Sequence, residues 1–386
     1  MAYEIAYIFP NEIIYQEEGP FVSLYQPTHR HFPENKEDTI VFKNLTKVIE
    51  NSLTQKFQKK IIGQIMKPFY ELEKDREFWN NTLDGLAILA SQNKCIIYKL
   101  QSSVKQFATV ADSFHIKPLI KAFQSMERYH LLGLSRDSYT LFQGDRHGFT
   151  EIVPAQDEPR TLKEVLGKQL TDPYVTHGAY GGTGGRSLYH GHGDVKQEID
   201  KDTEKFLRYV DNYVMENYSK PSKLPLILVS LLEYHSLFRN ISNNPYLIDA
   251  GIKYSYESLE MDELKSKALE IIEPINLERM RSLVESYKRA EADSMGSSNL
   301  VQVAMAAYSS RVETVLIEEN RIVPGKIDYN TGVVESCVIG NPDCDDILDD
   351  IAELTLMRKG NVWILPKDKM PSTTGVSAIF RYKMDI

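Results

Sequence analysis

The residues with the strongest chemical claim lie between positions 171 and 194, TDPYVTHGAYGGTGGRSLYHGHGD, with glycines at 178, 181, 182, 184, 185, 191 and 193. Glycine tolerates positive φ and lets a backbone approach a ligand closely, so such a run suits entry into a narrow space. A helix is expected directly after it, and exposed N–H groups at a helix start favour phosphate. The detailed phosphate signatures fail, however. A P-loop needs GxxxxGK[ST], whereas Gly185-Arg186-Ser187 has Arg for Lys and Tyr180 where the first glycine belongs. A dinucleotide fingerprint needs a strand immediately before the run, and none is expected there. His190, His192 and Asp194 alternate, so an extended backbone would turn them the same way, with His177 nearby as a further metal ligand. Histidines set between glycines in a loop are ordinarily solvated, so no metal and no cofactor are expected. A surface loop without a role is the plain alternative.

Elsewhere there is no GxSxG elbow, HExxH pair or Cys–His signature. Asp343, Asp345, Asp346, Asp349 and Asp350 crowd the start of an expected helix, where the dipole favours negative charge; capping explains them better than metal binding. Tyr15, Phe21, Tyr25, Phe32 and Phe42 are of a type that stacks on bases, but packing is the commoner use. Cys95, Cys337 and Cys344 form an odd, sparse set without a CxxC pair, which supports neither a disulfide framework nor a zinc site. A redox pair of Cys337 and Cys344 is the minor alternative.

Asp and Glu outnumber Lys and Arg 54 to 45, and the net charge of −9 argues against a broad basic face for nucleic acid. No segment reaches the roughly 18–20 consecutive apolar residues of a membrane span. Glu4, Glu12, Glu17 and Glu18 with no early Lys or Arg are unlike a signal peptide. No membrane partner is expected, and the cytoplasm is the expected compartment.

The elements that must position these residues follow from periodicity. The first 50 residues, with scattered Pro and His, read as extended arm and loop. Leu45, Val48, Ile49, Leu53, Phe57, Ile61, Ile65 and Phe69 recur at spacings of three and four and predict one helical stretch. Runs 86–89 and 95–100 flank a polar turn and predict a hairpin; 130–134 and 139–142 repeat that layout. A helix over 118–126 separates the hairpins. Further helices are expected over 160–170 and from 195 to 218, the latter with Ile199, Phe206, Leu207, Val210, Val214 and Tyr218 on one stripe. Residues 226–232 read as a strand buried on both faces, followed by a helix over 233–241. A charged helix over 261–290 should break at Pro274. Then helix 299–308, strand 312–317, helix 345–357 and strands 362–365 and 376–382 repeat βαβ grammar. The chain is therefore read as three tandem α/β domains, the third with a mainly parallel sheet covered by helices. Their boundaries fall at 1–127, 128–274 with the glycine-rich loop over 177–194, and 275–386.

With the elements placed, the chain resembles the archaeo-eukaryotic peptide release factors and Pelota, in the bacterial branch of that superfamily. In that family a Gly-Gly-Gln tripeptide and a small residue open the long helix of the middle domain. Gly184-Gly185-Arg186-Ser187 occupies that place here, and Glu204-Lys205-Phe206-Leu207-Arg208-Tyr209-Val210 follows at a similar distance. Residues 310–317, 350–355, 362–366, 370–371 and 375–382 look like the family's third domain. The resemblance implies a ribosome-associated factor in translation termination or ribosome rescue, with peptidyl-tRNA as partner and a protein partner through the third domain. Gly184, Gly185 and Arg186 would then be the catalytic positions, and Arg186, Ser187, His190 and His192 the RNA contacts. Two departures stand against direct transfer. The family's Gln is Arg186, a permanent cation without the amide acceptor, and the Asn-Ile-Lys-Ser codon-reading tetrapeptide is missing. A non-catalytic protein-interaction module that keeps the fold is the alternative.

Overall fold

The computed structural model describes residues 3–16, 18–124, 128–145, 148–153, 158–167, 192–329, 331–337 and 345–383. Its contacts divide the chain into two compact units, 1–124 together with 277–386, and 125–276.

The first segment holds β1 (Glu4–Ile5), β2 (Phe21–Pro27), α1 (Asn35–Lys56), α2 (Lys59–Lys74), α3 (Arg76–Asn80), β3 (Gly85–Ala90), β4 (Cys95–Leu100), β5 (Phe107–Ala111) and α4 (Lys117–Phe123). Its five strands run in the order β1-β4-β3-β2-β5. The expectation of an extended arm over the first 50 residues fails at β2. Val22 and Leu24 pack with α1 and α2 on one face, while Phe21 and Tyr25 enter the core on the other, so this interior strand is buried on both sides. The helix read over 45–69 is two helices, broken where Phe57 turns extended (φ −122°, ψ 156°). A straight helix from Asn35 to Lys74 would run about 60 Å, far beyond strands of five to seven residues; the break lets both halves cover the same face.

The middle segment holds β6 (Tyr129–Leu134), β7 (Tyr139–Gly144), β8 (Phe149–Glu151), α5 (Leu162–Leu166), α6 (His192–Val214), a π-helical turn over Met215–Ser219, α7 (Lys220–Ser222), β9 (Leu226–Val229), α8 (Leu232–Ile241) and β10 (Leu247–Ile252). The order is β10-β9-β6-β7-β8, with β6, β9 and β10 parallel and β7 and β8 antiparallel. Leu132 and Leu134 face α6 and α8, while Tyr129 and Leu131 pack on Leu264, Ala268 and Ile272 of α9 (Met261–Ala292). The apolar run read as strand 226–232 ends early: Leu231 and Leu232 are exposed and lead into α8. Nor does α9 break at Pro274. Packing of Leu264, Ala268 and Ile272 before it, and burial of Tyr287 after it, outweigh the lost hydrogen bond.

The last segment adds β11 (Gly296–Ser297), α10 (Leu300–Tyr308), β12 (Val312–Glu318), β13 (Pro324–Ile327), β14 (Val334–Ser336), β15 (Asp345–Asp346), α11 (Ile347–Met357), β16 (Asn361–Leu365) and β17 (Val376–Phe380). The α/β class holds here too, but the sheet β11-β17-β12-β16 is mixed and not mainly parallel. β12 and β16 pair in parallel across α11, whereas β17 is antiparallel to both β12 and β11. The reason is the short link after β16, which holds no helix long enough for a crossover. A single core joins the two ends of the chain, with Tyr98, Phe114 and Ile116 in the same cluster as Val315, Ile351 and Ile364. Cys95 is free and buried, and Cys337 is disulfide-bonded, which corrects the reading against any disulfide; Cys344 lies outside the described residues. Among the described residues no helix is long and apolar enough to cross a membrane.

Candidate functional site

Gly184, Gly185, Arg186, Ser187 and His190 lie outside the described residues, and His192 is the first residue of α6. From 192 onward the backbone is helical, so the extended alternation expected of 190, 192 and 194 does not continue there. What the structure describes is the pedestal on either side of the glycine run. α5 is closed by a capping box: Thr161 Oγ1 accepts the Glu164 N–H, and the Glu164 carboxylate accepts from the Arg160 and Thr161 N–H groups at 2.8 and 3.0 Å. Those donors hold Glu164 below the usual carboxylate range. Two backbone bonds tie α5 to the β6–β7 turn, Leu162 N to Asp137 O and Tyr139 N to Arg160 O. Gly167, at φ +52°, ends the helix in a conformation that side chains disfavour.

On the other side α6 lays Phe206, Leu207, Val210 and Val214 on the sheet. The Asp211 carboxylate fixes its far end by accepting from the Ser242 hydroxyl and the Asn243 N–H. Tyr218, just past α6, meets His130 at the start of β6, and Tyr213 meets Tyr139 beyond the end of β6, with ring centroids 6.4 and 6.5 Å apart. The helix therefore runs antiparallel to β6. Its N-terminus points past the carboxyl ends of the parallel strands, the edge where open α/β sheets take ligands. From Tyr213 back to His192 the helix rises roughly 30 Å.

A second concentration of functional groups lies in the unit formed by the chain ends. Asp346 is the N-cap of α11, accepting from Leu348 N, as the sequence suggested. The other carboxylates on that helix do something else. Asp349 accepts the N–H groups of Ile116 (2.8 Å) and Lys117 (2.9 Å), the start of α4, where orphan donors and the helix dipole favour an anion. Asp350 accepts from the Ser113 hydroxyl (2.7 Å) and Ile327 N (3.0 Å), and Tyr329 donates to Glu353 at 2.7 Å. Lys117 Nζ makes a short ion pair with Asp346 and donates to Arg321 O at 2.7 Å. Gln124 closes the edge of β16, donating to Ile364 O and accepting from Ile364 N.

Burial sets the protonation of this junction. It pushes Asp349 up to about 8, despite the opposing pull of Lys117, and raises Asp350 and Glu353 well above the carboxylate range. His115 is driven down to about 4, by burial first and Lys117 second. A cavity of about 660 Å³ runs beside Asp345, Asp350 and Glu353 and connects them with solvent. No group of three or more His, Cys, Asp or Glu suited to a metal occurs among the described residues. The junction was legible in one respect that the capping reading passed over. Positions 346, 349, 350 and 353 follow i, i+3, i+4, i+7, so the acids form one stripe. Because Ile347, Leu348, Ile351, Ala352 and Leu354 are also buried, α11 is covered on every side, and the stripe faces other protein groups and, at Asp350 and Glu353, the cavity.

Residues 128–311 match the model of bacterial archaeo-eukaryotic release factor family 3, which bears out the resemblance read from the sequence. No curated protein matches the chain. Similar solved structures include an archaeal translation termination factor, aRF1, at 14% identity over 94% of this chain and 92% of that one, with a TM-score of 0.27. An archaeal Pelota, from a model of ribosome-bound Pelota and ABCE1, is 11% identical over 78% and 73%, with a TM-score of 0.42. The Saccharomyces cerevisiae protein Dom34, described as a translation termination-like factor interacting with Hbs1, is 12% identical over 76% and 74%, with a TM-score of 0.39.

Proposed function

We propose that this protein works on the ribosome, in translation termination or in rescue of stalled ribosomes, from the cytoplasm. The observation that carries the reading is the release-factor family match over 128–311, the stretch that contains the glycine run and its pedestal. In this reading the three segments 1–127, 128–274 and 275–386 act as domains, and the loop over 177–194 approaches the acceptor end of peptidyl-tRNA. Gly184 and Gly185 allow close approach, while Arg186, Ser187, His190 and His192 contact phosphate. Arg186 has no acceptor with which to align a water, so its part is electrostatic. The third domain recruits a protein partner. Co-sedimentation of the full chain with purified ribosomes at low salt is the first test, and a chain left wholly in the supernatant refutes the reading. With binding established, Gly185→Ala should abolish release of labelled peptide, and Arg186→Ala should weaken ribosome binding about tenfold, as loss of a charge-assisted bond does. The second reading, an interaction module without ester chemistry, is favoured by Arg186 itself. It predicts ribosome or protein binding with no peptide released by the native chain.

A further inference from the structure

We infer that the contact between residues 113–117 and α11 is a proton-dependent latch joining the two ends of the chain, one that loosens as alkali strips the buried carboxylates of their protons. The inference stands apart from the ribosomal reading, because it uses none of the residues of the glycine run. Its geometry is a set of long-range bonds that all converge on α11: Ile116 N and Lys117 N on Asp349, the Ser113 hydroxyl on Asp350, and Lys117 Nζ on Asp346. The partners are separated by 229 to 237 positions in sequence, so nothing local holds them together.

The charges facing this junction do not balance. From α11 and its start come Asp345, Asp346, Asp349, Asp350 and Glu353, and of these Asp346, Asp349, Asp350 and Glu353 are buried. From the α4 side come Lys117, whose ammonium is committed to Asp346, and His115, whose ring nitrogen stands 3.5 Å from Asp349. β2 contributes the Tyr25 hydroxyl, which donates to His115 O, and the β13–β14 connection contributes the Tyr329 hydroxyl, committed to Glu353. Lys121 pairs with Glu319, and the Arg321 guanidinium is bonded to Glu318 and Thr373 O. Across the cavity stand Lys56, Lys326 and Arg358 with Asp112, Asp328 and Glu335, a mixed set that leaves the acidic excess in place. Carboxylates this close and this buried cannot all ionise, so the closed junction holds protons that an open one would lose.

The direction in pH follows. Asp349, Asp350 and Glu353 bind protons more tightly closed than open, so closure is strongest at low pH and is lost as pH rises through their closed-state values, about 8 for Asp349. His115, lowered to about 4, acts in the opposite sense, but only below the ordinary imidazole value of about 6.5. Above that the carboxylates act alone. Each retained proton then makes opening about tenfold easier per pH unit. The cavity beside Asp350 and Glu353 gives water the access that proton exchange needs.

Hydrogen exchange of the full chain, corrected for intrinsic exchange, tests this between about pH 6.5 and about pH 9. Peptides containing Ile116 and Lys117 should lose protection about tenfold per pH unit for each proton still held, up to about a thousandfold with Asp349, Asp350 and Glu353 together, while the β3–β4 hairpin keeps its own. The Asp350→Asn and Glu353→Gln double variant needs fewer protons, and its protection at 116–117 should fall less steeply. Protection at 116–117 that stays level in the native chain overturns the latch, as does a fall shared equally by the hairpin or by the double variant. If the double variant does not fold, the native chain's two peptides decide alone.

Discussion

Asp349 carries more of the molecule than its place on the surface of a sequence pattern suggests. Its two oxygens satisfy two N–H groups that α4 cannot satisfy itself. Asp349→Ala strands both in a buried place, and each stranded donor costs about 1–3 kcal/mol; urea denaturation near neutral pH should show a loss in that range or above. Asp349→Asn keeps an acceptor oxygen and has no proton to lose. It should be the weaker protein in acid and match or pass the native chain above about pH 8, where the native carboxyl ionises. A constant difference at every pH would contradict that assignment. Gly251 shows a different dependence on one atom. A Cβ there would run into His235 Nε2 and come within 2.9 Å of Leu228 O, so Gly251→Ala should cost about 1–3 kcal/mol by overpacking; an unchanged thermal midpoint of the middle unit would count against it. Neither role was visible in composition. A glycine in an apolar strand and an aspartate at a helix start each have a bland local explanation, and only the tertiary partner says which one holds.

At the scale of elements, the strands and helices with clear periodicity were legible: both hairpins, α6, α10, α11, β12 and β16. What escaped was set by partners distant in sequence. β2 looks like a loop because its Pro and His neighbours mark turns, yet β3 and β5 flank it and make it an interior strand. β17 returns antiparallel because the chain after β16 has no crossover helix. Gln124 belongs to this scale as well, since its amide stands where a neighbouring strand would be and occupies the Ile364 N–H and C=O. Edge strands left open recruit other chains. Gln124→Ala should therefore lower stability by about 1–2 kcal/mol and give concentration-dependent assembly in light scattering. A variant that remains monomeric at high concentration would show that β16 is protected by other means.

The whole molecule divides into a unit of continuous sequence and a unit made from both ends of the chain. Sequence reading, which moves along the chain, has no signal for a core shared by residues more than two hundred positions apart. The same division makes a direct prediction. Segments 1–124 and 277–386, produced as separate chains, should associate, because each leaves the other's buried acceptors or donors unpaired. Gel filtration of the mixture should show a heterodimer, and Asp349→Ala should weaken it; fragments that elute separately would mean that the covalent link through the middle unit does the holding. The glycine run is the part of the candidate site that sequence alone supplies, while the pedestal beneath it came from the structure.

The long separation between Asp349 and Ile116 also has a meaning in time. During synthesis at about 5–20 residues per second, the 233 positions between them take roughly 10–50 s to emerge. The first segment must wait that long for its acceptors, while the middle unit already has every residue it needs. A nascent chain cut short before α11 would carry a finished middle unit and an unfinished end unit, so completion of the end unit reports that translation has passed α11.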